Sequence, residues 1–307
     1  MVFAVGVGAA VLGGGCDSSG TVVGADAAST DAGLPDVTFT YDGPVFDVSP
    51  PDVGSSPDAG SAADAPDFAF IELSEVPVGG GTFTAAFYTA PRQPPPGCTA
   101  EVVDGGGCAV TTCPGHAPTD AGVVTLASAG ALDVTGGAFG DAGIQVGADN
   151  LGSYLYNTTG PMFSPGDVLG VSAAGGTVPP FPVQSLTAPA AITLTAPQAG
   201  DAGLLVVPTA QSLAVTWTGG VTGDRVVFTL NAFLASGASA STACSWDAAA
   251  GQGTIPASAL APLVAGTAQP GGSTALWYQL AQTTFDAGRW AVTMQADIHG
   301  GSLVAFQ

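Results

Sequence analysis

The chain has 307 residues, of which 46% are hydrophobic, and a mean hydropathy of +0.42, so it is long enough for two domains and apolar enough to bury a core in each. Only three residues are basic (Arg92, Arg225 and Arg289, with no Lys) against 24 acids, and the net charge of −21 argues against nucleic acid and against charge-driven adhesion to anionic headgroups. An excess of Ala, Gly, Val and Asp without Lys is what GC-rich coding yields, and repulsion at this level helps keep an exposed protein in solution.

Residues 2–15, VFAVGVGAAVLGGG, form an uncharged apolar run. A membrane-spanning helix needs about 20 residues, so this run is too short to cross. It has the length and the small-residue end of a signal-peptide core, and residues 1–15 are expected to be a signal peptide. The run closes on Leu12-Gly13-Gly14-Gly15-Cys16, which is similar to the lipobox of bacterial lipoproteins. Gly13 stands where that family has its aliphatic residue, and a start upstream of Met1 would supply the basic stretch that export signals carry. The resemblance implies cleavage before Cys16, diacylation of its thiol, a membrane as partner, and residence in the bacterial cell envelope. As a whole the chain resembles the Ala/Gly/Asp-rich lipoproteins of GC-rich bacteria.

From Asp17 to Asp67 the sequence holds ten Asp and no Lys, Arg, His or Glu. Low hydrophobicity with one sign of charge cannot bury enough area to offset chain entropy, so residues 16–67 read as a lipidated Cys followed by a disordered, self-repelling tether. Such a coil has an r.m.s. span on the order of 40 Å, enough to hold a domain clear of headgroups. Val37–Phe46 is a candidate short strand or peptide-like docking motif within it.

Phe68 begins a different pattern, of short β-type runs between Gly, Pro and Asp turns. Residues 68–73, 81–88, 123–126, 213–217 and 289–294 read as strands, with Trp290, Val292 and Met294 on one face of the last. Asp-Ala-Gly recurs at Asp120, Asp141, Asp201 and Asp286 as turn chemistry. Only Pro256–Leu263 reads as helical, with Pro262 ending it early. The Pro-rich stretch at 178–182 and Thr187-Ala-Pro-Ala190 place a boundary near 188. The expectation is an all-β protein: the tether, a β-sandwich domain over 68–188, and a second over 189–307. On pattern alone, the second resembles an immunoglobulin or fibronectin type III sandwich with Trp217 in its core.

Four cysteines remain besides Cys16. Cys98 to Cys113 reads as a hairpin turning at Gly105–Gly107, which sets Cys98 opposite Cys113 and predicts a Cys98–Cys113 disulfide. Cys108 and Cys113 face opposite sides of one strand. Cys108–Cys244 is then the second expected bridge, between the two domains, the alternative being two free thiols. Cys108, Cys113 and His116 have loose zinc-like spacing but lack a second ligand pair, so no metal and no cofactor are expected.

The catalytic inventory is thin. His116 and His299 lie in opposite halves, and no nucleophile elbow occurs. Asp297 and His299 share a strand face, but no nucleophile is identifiable beside them, and His299 reads as a solvated surface residue. The leading function is a non-catalytic, membrane-anchored lipoprotein whose β domains bind or build, with envelope proteins or polysaccharide as candidate partners. The alternatives are a carbohydrate-binding surface module using Trp246, Trp277 and Tyr278, and an extracytoplasmic hydrolase using His116 or His299. Alternation of Leu276, Tyr278 and Leu280 favours core packing over sugar binding for these aromatics.

Overall fold

The computed structural model describes residues 66–76, 80–89, 98–103, 107–115, 125–200, 204–233, 238–263 and 273–307. Residues 1–65, with the expected signal segment, Cys16, the expected tether and the strand candidate at Val37–Phe46, lie outside them, as do His116, Asp120 and Asp201. The described chain is all-β, with a single four-residue α-helix (α1, Ala257–Leu260). Pro256 precedes α1, and a 3-10 turn over Ala261–Leu263 follows it, within the one segment that reads as helical.

In chain order the strands are β1 (Asp67–Val76), β2 (Gly80–Phe87), β3 (Thr99–Val103), β4 (Cys108–Cys113), β5 (Leu132–Thr135), β6 (Ile144–Val146), β7 (Tyr154–Asn157), β8 (Val168–Ala173) and β9 (Phe181–Thr187). They continue as β10 (Thr193–Ala196), β11 (Leu204–Val207), β12 (Leu213–Thr218), β13 (Arg225–Phe233), β14 (Ser239–Asp247), β15 (Gln252–Ile255), β16 (Thr274–Ala287) and β17 (Trp290–Phe306). Ten of them form one large sheet, ordered β3-β4-β14-β13-β16-β17-β1-β2-β7 with β11 also paired to β17. Two small sheets, β6-β5-β8-β9 and β10-β12-β15, complete the fold.

Period-2 patterning decides which face each strand buries. On β1, Ala69, Ile71 and Leu73 enter a first core with Phe83 and Phe87 of β2, Leu132 and Val134 of β5, Leu169 and Val171 of β8, and Val292, Met294 and Ala296 of β17. A second core joins Val226, Phe228 and Leu230 of β13 to Val215 and Trp217 of β12, Leu205 of β11, and Leu260 and Leu263. Trp217 is buried and donates from Nε1 to the Ala248 carbonyl at 2.7 Å.

Two cores are present, but they are not two independent domains divided near residue 188. That position separates the two small sheets only, because β1 and β2 pair onto β17 and β4 pairs with β14 inside the shared large sheet. The expected division rested on local turn signals, which carry no information about which strands join across the chain. The β1–β17 and β11–β17 ladders are parallel, while every other ladder is antiparallel among the described residues.

The β3–β4 register, Thr99 opposite Thr112 and Val103 opposite Cys108, sets Cys98 opposite Cys113, and a disulfide joins them with the Cα atoms 4.2 Å apart. Cys108 and Cys244 are directly opposed on β4 and β14 and form the second bridge, across 136 residues of sequence. Structural disulfides are a property of chains that fold in an oxidising compartment. Among the described residues no helix is long and apolar enough to cross a membrane.

Candidate functional site

The face of the large sheet opposite the first core is polar where β1, β2 and β17 meet. β17 puts Gln295, Asp297 and His299 there, because its alternate positions Met294, Ala296 and Ile298 are taken by the core. The parallel register sets Glu72 against Gln295 and Ser74 against Asp297. From the other side of β1, the β2 register sets Thr84 against Glu72. Six polar side chains from three strands therefore converge.

Their contacts form two adjacent groups. In the first, Glu72 accepts from Gln295 Nε2 at 2.7 Å and from Thr84 Oγ1 at 3.3 Å. In the second, Ser74 Oγ donates to Asp297 Oδ1 at 3.1 Å and lies 3.0 Å from His299 Nδ1, and Nδ1 is itself 2.9 Å from Asp297 Oδ1. Ser74, Gln295, Asp297 and His299 are all buried, and Glu72 is partly so. Asp297 Oδ2 and His299 Nε2 are buried without a hydrogen-bond partner among the described residues.

Burial, and then the charge of Asp297, push the Glu72 carboxyl up to about 7 against the hydrogen bonds from Gln295 and Thr84. For His299, burial alone favours the neutral ring, but the hydrogen bond and charge of Asp297, with the charge of Glu72, outweigh it and raise the imidazole above its ordinary value. Both groups therefore hold a proton more tightly than they would in water.

His299 is thus not a solvated surface residue, and a hydroxyl does stand beside it. The sequence conceals this because Ser74 lies 225 positions away and reaches His299 only through the β1–β17 ladder. Yet the arrangement is not a nucleophile relay. A general base must take the hydroxyl proton on one ring nitrogen while a carboxylate orients the other. Here Ser74 and Asp297 both address Nδ1, and Nε2 meets neither. What the cluster can do is hold protons on Glu72 and on His299, whose folded environments favour the protonated forms.

The aromatic candidates do not share one platform. Trp277 and Tyr278 are consecutive on β16 and so project to opposite faces of the sheet. Trp277 stacks beside Phe228 with ring centroids 6.2 Å apart and lies over Gly300, where an added Cβ would come within 2.7 Å of the indole nitrogen. Trp246 stacks with Trp217 at 5.8 Å and lies against Gly253. Each indole is half-buried against a second aromatic ring and a glycine. A shallow groove beside Trp246 is lined by Arg225, Ser245, Asp247, Gln252 and Thr254, apart from both Trp277 and Tyr278.

Among the described residues, no cluster of His, Cys, Asp or Glu is placed to hold a metal ion. Cys108 and Cys113 are in disulfides and have no thiolate to offer one. In comparison with known proteins, the chain matches no protein-family model, and no curated protein matches it significantly in sequence.

Proposed function

We propose that the chain is an exported lipoprotein, anchored through Cys16 to a membrane of the bacterial cell envelope, whose disulfide-bonded β platform has a non-catalytic binding or structural role. The observation that carries this reading is the cysteine pairing. Of five cysteines, four are joined to one another, so Cys16 is left without a cysteine partner in its own chain. It stands between the short apolar run and the acidic stretch, where a lipid attachment would hold the folded strands at a distance from the membrane.

The non-catalytic part is supported by the Ser74, Asp297 and His299 geometry, in which one ring nitrogen serves both neighbours. A saccharide platform has less support, because Trp246 and Trp277 are each packed against a ring and a glycine. Envelope proteins are the partners this reading favours.

Growth of an expressing bacterial host with radiolabelled palmitate, with and without globomycin, tests the proposal. Wild-type protein should take up label and accumulate as a larger precursor when globomycin is present, while a Cys16→Ala variant takes up none. Absence of label on the wild type, or equal label on the variant, overturns the anchor.

A further inference from the structure

The pairing of β1 with β17 brings the first described strand, directly after the N-terminal segment, against the last strand of the chain. Side chains tie this seam at three points: Gln295 to Glu72, Ser74 to Asp297, and Ser74 to His299. We propose that the seam is a proton-controlled clasp, which closes when Glu72 and His299 carry protons and loosens when they give them up, leaving two carboxylates, one half-buried and one buried, on the same face of it.

Charge balance is the first argument. At the start of the seam Arg289 pairs with Asp67, so that carboxylate has a permanent cation. Among the described residues, the Glu72 and Asp297 pair has none. Around Glu72, β2 presents Thr84 and no titratable side chain, and β17 presents Gln295, Asp297 and His299. Beyond β17, β16 presents Tyr278 opposite His299 and Leu280 opposite Asp297. The guanidinium next in register is Arg225 on β13, opposite Leu280, and its Nε is engaged by Ser245. Among the described residues, the only countercharge that touches Asp297 is therefore the imidazolium of His299, which is lost by deprotonation.

The second argument is that Glu72 stays hydrogen-bonded in both states. Ionised, it accepts from Gln295 and Thr84. Protonated, it can donate to the Thr84 hydroxyl, which reverses its role while Gln295 still donates to the other oxygen. Proton uptake thus changes the charge at the seam and keeps its contacts. Proton loss at Glu72 and His299 removes the imidazolium and adds a second carboxylate to the same poorly solvated face, where an unpaired charge is most costly. The displacement to be expected is an opening of β1, carrying β2 and the N-terminal segment, away from β17.

Hydrogen exchange of the full chain, followed by mass spectrometry and corrected for the intrinsic pH dependence of amide exchange, tests the clasp. Peptides covering 67–76 and 290–299 should lose about tenfold in protection between pH 6 and pH 8.5, relative to peptides from β5 and β8. In Glu72→Gln, which keeps the shape and removes the ionisation, the loss should be less than about threefold. Equal relative protection at both pH values, or the same loss in Glu72→Gln as in the wild type, overturns the proposal. If Glu72→Gln does not fold, Gln295→Met serves instead. It removes a donor to the ionised carboxylate and should move the midpoint of the loss to higher pH; an unmoved midpoint also overturns the clasp.

Discussion

Glu72 on β1 accepts a hydrogen bond from Gln295 on β17 at 2.7 Å, joining positions 223 residues apart in the sequence. Next to this contact, Ser74 reaches Asp297 and His299 through the same parallel ladder. Most of the chain's distinctive chemistry depends on that one strand pairing, and its consequences can be measured separately.

Ser74 should be unreactive as a nucleophile. Its hydroxyl donates to Asp297, and the imidazole beside it presents the nitrogen already bound to that carboxylate. Incubation with a fluorophosphonate probe should leave the protein unlabelled. Covalent labelling of Ser74, lost in Ser74→Ala, would restore the hydrolase reading.

Stability should rise as pH falls from 8.5 to 5.5. Glu72 binds its proton more tightly folded, at about 7, than unfolded, at 4.5. Its contribution is therefore fully present below about 4.5 and lost as pH rises through about 7. His299 acts in the same direction, with its contribution present below 6.5 and lost as pH rises through its raised folded value. Urea midpoints across this range should show the slope. Glu72→Gln should flatten the Glu72 part and be more stable than wild type at pH 8.5 by roughly 1–3 kcal/mol. A variant less stable than wild type at that pH would refute the assignment.

The bridge between Cys108 and Cys244 closes 136 residues of sequence and joins β4 to β14 within the large sheet. Replacing both cysteines by alanine should cost roughly 2–5 kcal/mol, read as a lower thermal midpoint under non-reducing conditions. A reductant should lower the wild-type midpoint and leave that of a variant lacking all four paired cysteines unchanged.

Gly253→Ala and Gly300→Ala should each destabilise by about 1–3 kcal/mol, since overpacking forces rings or backbone to move. The added Cβ would come within 2.3 Å of the Trp246 ring in the first case and 2.7 Å of the Trp277 indole in the second. Chemical denaturation measures the loss, and a shift in tryptophan emission identifies the displaced ring. Gly140→Ala, where no atom lies within 4 Å, separates this packing cost from backbone strain, because Gly140 has a φ of +58°.

The sequence by itself determined which side chains share a strand face, where turns interrupt the strands, and how the β3–β4 hairpin opposes Cys98 to Cys113. Each is a local property: alternation has period two, glycine supplies the turn, and a tight hairpin sets its own register. It likewise disclosed that Asp297 and His299 lie on one face of a strand. Tertiary structure alone decided that this face is buried and meets Glu72 and Ser74, and that one large sheet unites both halves of the chain. Parallel pairing across more than 200 residues has no turn to set it and is chosen by the matching of buried faces. The glycines under Trp246 and Trp277 were undetectable for the same reason, since only the assembled sheets bring ring and backbone together.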